Sequence, residues 1–197
     1  MTVRIEPLIG SRLTARLPDL ARLRIEVFRA FPYLYDGDSV YEERYLSSLA
    51  AAPSGAIIAA FDGDTIVGAS TAAPLGGMMD EVTAPFRARD DDLARYFYFG
   101  ESVLRASHRG LGIGVRFFEL REAHARAHHA RTTTFCSVIR PADHPARPER
   151  YVPLDQFWRN RGYAPEPGLI CHLSWREVGE REETPKPMQF WTKRLAS

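Results

Sequence analysis

The sequence predicts a mixed α/β fold in a single domain that spans residues 1–197. Short segments with strand character alternate along the chain with segments of helical periodicity, and this alternation indicates a sheet flanked by helices. Two further strand-like segments, 169–175 and 188–193, lie near the end of the chain. A length of 197 residues is typical of one domain.

Composition and charge restrict the class of protein. Hydrophobic residues make up 45% of the chain and charged residues 26%, which is typical of a globular protein. The net charge of +1 gives no overall attraction to nucleic acid or to a membrane surface. No stretch is apolar enough to span a bilayer, and Glu6 lies where a signal peptide would be apolar. Two cysteines cannot form a disulfide framework, so we expect a cytoplasmic protein.

The first half of the chain predicts two helices and a hairpin. A strand over 3–8 ends before Gly10, and a helix begins at Pro18–Asp19, because proline and an acid both suit a first helical turn. Phe31–Pro32 follows that helix, and a second amphipathic helix comes next. Segments 56–61 and 65–70 then flank Asp62–Asp64, which predicts a hairpin. Residues 73–95 read as loops with at most a short helix.

The second half places a glycine-rich turn between a strand and a helix. Residues 96–104 are rich in aromatic and β-branched residues and predict one central strand. A helix over 115–130 and a strand over 132–139 follow the turn. Residues 140–153 contain four prolines and predict a long irregular connection. A short helix over 154–161 ends at Gly162.

The turn itself is the most informative segment of the sequence, and it reads Arg109-Gly110-Leu111-Gly112-Ile113-Gly114. Glycines allow positive φ and a close approach of the backbone, so several N–H groups can point at one ligand beside a helix N-terminus. Four cationic side chains surround the turn: Arg105, His108, Arg109 and Arg116. We therefore expect an anionic, phosphorylated cofactor. A P-loop is excluded because no Gly-Lys-Ser/Thr follows, and a turn without a ligand is the alternative.

This segment resembles the acetyl-coenzyme A loop of the GNAT superfamily of N-acetyltransferases, Arg/Gln-x-x-Gly-x-Gly/Ala. The resemblance extends over nearly the whole chain, and residues 157–163 are similar to a late Tyr-x-x-x-Gly-Phe element of the family. It implies a mixed, mostly antiparallel central sheet with helices on both faces. It also implies that the sheet is splayed between the fourth and fifth strands, here Tyr96–Leu104 and Thr132–Ile139.

The resemblance also implies how acetyl-CoA would bind. The backbone amides of Gly110, Leu111, Gly112, Ile113 and Gly114 would hold the diphosphate, with the Arg109 side chain nearby. Backbone groups of Val103 and Leu104 would pair with the pantetheine arm, and the Leu104 amide would polarise the thioester carbonyl. Trp158 stands at a cofactor-facing position of the family.

The implied reaction is transfer of acetyl to a primary amine by direct attack on the thioester. Glu101 is the candidate general base, and the alternative is a structural carboxylate that bonds backbone or an arginine. Trp158 replaces the tyrosine that protonates the leaving thiolate in many members. Tyr151 could supply that proton, or the thiolate could leave with the help of water. A third possibility is a non-catalytic CoA-binding sensor or interaction module.

The acceptor side is expected near the first two helices and the 140–153 connection. Tyr33 and Tyr35, together with acids such as Glu101, suit a small cationic amine, while packing of both tyrosines in the core is the alternative. A protein amine is the second acceptor class. His124 and His128 share a helix face as metal ligands could, but we expect no metal, since there is no CxxC and Cys136 and Cys171 lie singly in apolar strands. Phe190-Trp191 is either part of the core or a homodimer contact.

Overall fold

A computed structural model describes residues 3–196 of the chain and has the mixed α/β architecture that the sequence predicts. Its strands are β1 Arg4–Leu8, β2 Ala56–Asp62, β3 Thr65–Pro74, β4 Tyr96–Tyr98, β5 Ser102–Leu104, β6 Thr132–Val138, β7 Ala164–Trp175 and β8 Thr184–Arg194. Its α-helices are α1 Gly10–Phe28, α2 Ser39–Ala51, α3 Asp80–Arg87, α4 Ile113–Ala127 and α5 Asp155–Arg159. Within 3–196, no helix is both long and apolar enough to cross a membrane.

All eight strands belong to one open sheet in the order β1-β2-β3-β4-β6-β8-β7, and β5 also pairs with β3. Strands β4 and β6 run parallel, and the other paired strands run antiparallel. The predicted mostly antiparallel sheet is therefore confirmed. The two closing strands are longer than their apolar segments suggest, because the polar ends of both continue the ladder.

Helices cover both faces of the sheet, as the contacts of β2 show. Alternate side chains of a strand point to opposite faces. Ile57 and Phe61 pack with α1 and α2, whereas Ile58 packs with Phe117 of α4. Because β2 is buried on both sides, it reads as a continuous apolar run in the sequence.

The predicted central strand 96–104 is not continuous. It divides into β4 and β5, which are separated by Phe99–Glu101. The last parallel contact is a hydrogen bond of 2.8 Å from Phe99 N to Thr134 O. Beyond it β5 pairs only with β3, while β6 continues beside β8, so the two strands diverge. We call this opening between β5 and β6 the splay, and it lies where the resemblance implies.

The start of α1 differs from the prediction. The helix begins at Gly10, so Pro18 lies inside it rather than in its first turn. Leu13 is buried about two turns before Leu20, and burial of this longer apolar face outweighs the hydrogen bond that proline cannot donate. Ile9 caps the helix without a side-chain hydrogen bond, so the sequence carries no start signal there.

Candidate functional site

The glycine-rich turn forms an open loop in front of α4. Gly110 and Gly112 have φ angles of 80° and 77°, in the left-handed region that favours glycine. A Cβ atom built on either residue would meet no atom within 4 Å. Gly112 is the N-cap of α4 and has no side chain to cover the first turn of the helix.

The backbone amides of residues 110–114 find no acceptor within the described part of the chain. The nearest amides before and after the loop that do have an acceptor are those of Arg109, which donates to Ala106 O at 3.3 Å, and Arg116, which donates to Gly112 O at 3.1 Å. These consecutive donors lie at the N-terminus of a helix, where the helix dipole also favours negative charge. The loop therefore has the geometry of an anion site.

The positive charge beside the loop is smaller than the sequence suggests. Three of the four predicted cations have an acidic partner: Arg105 with Glu26 at 3.0 Å, Arg116 with Glu119 at 2.9 Å, and His108 with Asp62 at 3.3 Å. Within residues 3–196, Arg109 has no carboxylate partner and its side chain is exposed. Arg109 is thus the cation that remains available to a ligand.

The hydrogen bonds between β5 and β3 determine which backbone groups face the splay. Two bonds frame the pair, from Thr71 N to Glu101 O at 3.0 Å and from Arg105 N to Val67 O at 2.9 Å. Residues along an antiparallel strand alternate between facing the partner and facing away. Val103 therefore faces β3, whereas the N–H and C=O groups of Ser102 and Leu104 face the splay.

The opposite wall of the splay is formed by β6, whose backbone groups also alternate in direction along the strand. Thr134 O already accepts from Phe99, so Thr134 faces β4. By alternation the backbone groups of Cys136 and Val138 face the same side, beyond the point where β4 ends. The splay is thus bordered by backbone donors and acceptors that none of the described strands uses.

Glu101, the predicted general base, lies in the break between β4 and β5 with its side chain buried. Its Oε1 is 2.5 Å from Nη1 of Arg24, and its Oε2 accepts from the Tyr45 hydroxyl at 3.1 Å. Its N–H donates to Oγ1 of Thr71 at 3.2 Å. A contact with an arginine is what we expect if Glu101 is a structural carboxylate, the alternative to a general base. The role of base remains a prediction.

Arg24 was not singled out by the sequence reasoning, yet it connects two buried carboxylates. It contacts Glu42 of α2 as well as Glu101, and its guanidinium lies over the rings of Phe28 and Tyr45. Burial opposes its charge, but Glu101, Tyr45 and Glu42 together raise the pKa of Arg24. An arginine on the apolar face of α1 was the available signal.

Tyr33 lies on the side of the splay next to α1 and α2. Its ring packs against Phe28 at 4.8 Å and Trp175 at 6.0 Å between centroids. Burial, and then the neighbouring Cys136 and Tyr151, raise the pKa of Tyr33. Its hydroxyl therefore stays protonated at neutral pH.

The segment that carries Tyr33 is held by side chains from the second half of the chain. Arg140 donates to Pro32 O at 2.7 Å and to Tyr33 O at 3.2 Å, and it forms an ion pair with Glu177. The indole of Trp175 donates to Tyr33 O at 3.0 Å. This side of the splay thus has a wall in which the Tyr33 segment is held by side chains from two other segments, Arg140 and Trp175–Glu177.

Tyr35 and Tyr151 occupy different surroundings. Burial, and then the nearby Glu42, raise the pKa of Tyr35, whose ring lies against Gly37. Tyr151 packs edge-on against Phe31 at 4.7 Å, and burial raises the pKa of Tyr151. The structure therefore brings Tyr151 close to the segment of Tyr33. Tyr35 instead lies beside the Arg24 cluster, which consists of Arg24, Glu42, Glu101 and Tyr45.

Trp158 packs against an aromatic residue of each of the two neighbouring strands β6 and β8. Its ring lies 5.1 Å from Phe135 and 5.0 Å from Trp191. The adjacent Phe157 contacts the loop, since a Cβ at Gly114 would lie 3.2 Å from the Phe157 ring. A direct contact of Trp158 with a cofactor remains a prediction.

The remaining candidates are core residues. Phe190 and Trp191 are buried, and the two cysteines are buried and free. An exposed dimer contact at Phe190-Trp191 is therefore wrong, and the core interpretation is confirmed. Among the described residues, no three His, Cys, Asp or Glu side chains cluster as metal ligands would.

Comparison with known proteins gives structural matches only. No protein-family model and no curated protein matches the sequence. A GNAT-family acetyltransferase from Streptococcus pneumoniae is similar with a TM-score of 0.59 and 12% identity, covering 99% of this chain and 100% of that one. An aminoglycoside 6'-N-acetyltransferase complexed with coenzyme A is similar at 0.61 and 16%, covering 100% and 98%.

A third similar structure is the ribosomal-protein-alanine N-acetyltransferase from Brucella melitensis. It has a TM-score of 0.62 and 13% identity, covering 99% of this chain and 100% of that one. Similarity at these identities shows a shared fold.

Proposed function

We propose that this chain, which has the fold of GNAT-family acetyltransferases, is an acetyl-CoA-dependent N-acetyltransferase that acts on a primary amine of a small molecule. The observation that carries the proposal is the run of amides at residues 110–114 that find no acceptor in the described residues. The diphosphate of CoA supplies the negative charge that this helix N-terminus favours. Arg109, the cation beside the loop for which residues 3–196 offer no acidic partner, binds the same group.

In this proposal the pantetheine arm extends from the loop along the open edge of β5. Its amides pair with Leu104 and Ser102, whose backbone groups face the splay. Val103 contributes its buried side chain to the wall but no backbone bond, because its N–H and C=O face β3. Leu104 is nearer the loop, so the thioester at the far end of the arm lies beside Ser102. The Ser102 amide, rather than that of Leu104, then donates to the thioester oxygen.

The reaction is a direct acyl transfer. The lone pair of the neutral amine forms a bond to the carbonyl carbon, the carbon–sulfur bond breaks, and the CoA thiolate leaves. An alkylammonium must first lose a proton, which costs about 4–5 kcal/mol at pH 7. Glu101 receives that proton through the hydroxyl of Tyr45, which already donates to it. Tyr151, whose pKa is raised by burial, gives its hydroxyl proton to the thiolate and is reprotonated when the new amide nitrogen loses its second proton, while Glu101 releases its proton to solvent.

The acceptor lies on the α1–α2 side of the splay, between Tyr33 and the Arg24 cluster. Two buried carboxylates and several phenol rings there suit an ammonium group. The wall held by Arg140 and Trp175 supports a small acceptor rather than a protein chain. The similar structures include one named for an aminoglycoside and one for a ribosomal protein, so a protein amine is the second acceptor class.

The first experiment measures thermal unfolding with and without acetyl-CoA. At about 100 times the dissociation constant, we expect the midpoint to rise by roughly 5–10 °C. Gly112→Ala should abolish most of this rise, because its Cβ would project into the space proposed for the diphosphate. Gly63→Ala is the matched control: Gly63 also has a positive φ of 58° and open space, but it lies in the β2–β3 turn.

The second experiment measures release of free thiol in the presence of a panel of small amines and of peptides with a free N-terminus. Turnover with a small amine supports the proposal. Binding of acetyl-CoA without turnover on any acceptor would instead favour a non-catalytic CoA-binding module. No stabilisation by acetyl-CoA or CoA would contradict both functions.

A further inference from the structure

A buried arginine on α4, Arg121, reaches the break between β4 and β5. Arg121 is 2% exposed. Its Nη1 donates to the backbone oxygens of Glu101 at 3.2 Å and Thr71 at 3.4 Å, and its Nε donates to Phe117 O at 3.3 Å. The guanidinium lies 4.3 Å from the ring centre of Phe99. Every acceptor of this buried cation is therefore a neutral carbonyl in the described chain.

Such an arrangement is costly for the fold alone. Burial disfavours the charge and lowers the pKa of Arg121 to about 10, although the nearby Tyr163, Glu101 and Glu122 act in the opposite direction. At neutral pH the group still carries its charge. A neutral donor would satisfy the same carbonyl oxygens without the cost of burying a cation. The charge at this point thus calls for an explanation beyond packing.

The peptide between Glu101 and Ser102 connects Arg121 to the splay. In a trans peptide the C=O and N–H groups point in opposite directions. The C=O of Glu101 accepts from both Arg121 and the N–H of Thr71, so its direction is fixed on the β3 side. The N–H of Ser102, at the other end of the same peptide, consequently points into the splay. A cation bonded to the oxygen also draws electrons from the nitrogen and makes that N–H a stronger donor.

We infer that Arg121 is a positioning residue for acyl transfer, which orients and polarises the Glu101–Ser102 peptide so that the Ser102 amide stabilises the oxyanion of the thioester. The inference depends on the proposed function, because it assumes that the thioester lies beside Ser102. It deepens that function by assigning a residue that touches neither cofactor nor acceptor. Arg121 acts through one peptide unit.

The test observes the thioester directly and needs no acceptor. Acetyl-CoA labelled with ¹³C at the carbonyl is bound to the protein, and its resonance is compared with that of free acetyl-CoA. A hydrogen bond to the carbonyl oxygen is expected to move the resonance downfield in the wild-type complex. Arg121→Gln should move it back toward the free position, and Arg121→Lys should lie between the two. Affinity for acetyl-CoA should change by less than about threefold, since the diphosphate contacts remain.

Arg126→Gln is the matched control, because Arg126 lies on the same helix with an exposed side chain, and its partner Glu122 keeps a second cation, Lys193. It should leave the carbonyl resonance unchanged. A folded Arg121→Gln protein that binds acetyl-CoA with the wild-type resonance would overturn the inference. If even the wild-type protein does not bind acetyl-CoA, it is the proposed function that fails.

A second measurement needs no variant and covers the case in which Arg121→Gln does not fold. In the wild-type protein, the Ser102 amide proton is compared between the complexes with CoA and with acetyl-CoA. A bond to the thioester oxygen should move this proton further downfield in the acetyl-CoA complex. An identical position in both complexes would exclude Ser102 as the donor and overturn the inference.

Discussion

Arg24 and Glu101 form an ion pair of 2.5 Å between α1 and the break that separates β4 from β5. Both side chains are almost completely buried, and Arg24 shares its charge with Glu42 of α2. The pair thus joins the two N-terminal helices to the point where the sheet opens. Its integrity affects both the stability of the fold and the shape of the proposed acceptor side.

Removal of Arg24 should destabilise the protein strongly. Arg24→Met leaves two buried carboxylates without their cation, and such losses cost about 3–5 kcal/mol. Arg22→Met is the control on the same helix, because Arg22 pairs with Asp19 at the surface and should cost less than about 1 kcal/mol. Urea unfolding followed by circular dichroism measures both values. Equal losses would contradict the structural importance of the buried pair.

Glu101→Gln should reduce the rate of acetyl transfer in a pH-dependent way. If Glu101 accepts the proton of the amine, the loss at pH 7 should be about 10²–10⁴-fold. The loss should shrink as the pH approaches the pKa of the amine itself, about 10.4, because a neutral amine needs no base. Initial rates from pH 6 to 10 measure this profile.

Glu42→Gln is the control for this profile, since Glu42 is the other carboxylate that pairs with Arg24. It should change the rate by a similar factor at every pH. The same pH-independent factor for Glu101→Gln would remove Glu101 from the role of base and leave it as a structural carboxylate.

Arg109→Gln should weaken the binding of CoA by roughly tenfold, which corresponds to the lower end of a charge-assisted hydrogen bond, about 1.5 kcal/mol. Arg105→Gln should weaken it much less, because Arg105 is already paired with Glu26. Calorimetric titration with CoA at two salt concentrations measures both effects, and the wild-type affinity should fall with salt more steeply than that of Arg109→Gln. Equal losses for the two variants would show that Arg109 has no special contact.

The loop was predictable because its chemistry is local. Glycines at 110 and 112 require positive φ, and the amides they expose follow from their own positions. The hairpin around Gly63 was predictable for the same reason. The splay followed from resemblance to a family rather than from any pattern in the strands themselves.

Contacts between distant segments were not predictable. Nothing near Glu101 in the sequence indicates Arg24, which lies on another element, and only the folded chain brings them together. The break at Phe99–Glu101 was hidden because aromatic residues continue the strand pattern up to Gly100. Arg121 lies on the apolar face of α4 beside Phe117. A charged residue on that face indicates a polar group buried opposite it, but the sequence does not show that this group is the Glu101 carbonyl.

Alkaline pH should unfold the protein through its buried tyrosines. Burial is the main cause that raises the pKa of four phenols: Tyr33, Tyr45, Tyr98 and Tyr163. A raised pKa in the folded state means that stability is intact below about pH 10 and falls as the pH rises further, because only the unfolded chain then loses protons. Each such tyrosine lowers the free energy of unfolding by about 1.4 kcal/mol per pH unit.

Tyrosinate absorbance and circular dichroism, recorded together from pH 9 to 12, test this expectation. Most of the absorbance change should coincide with unfolding rather than precede it. Tyr163→Phe should reduce the slope of the unfolding free energy against pH by the contribution of one tyrosine, about 1.4 kcal/mol per pH unit. Tyr41→Phe, at an exposed position of α2, should leave this slope unchanged. Complete ionisation of all tyrosines while the circular dichroism of the folded protein persists would contradict the burial of these phenols.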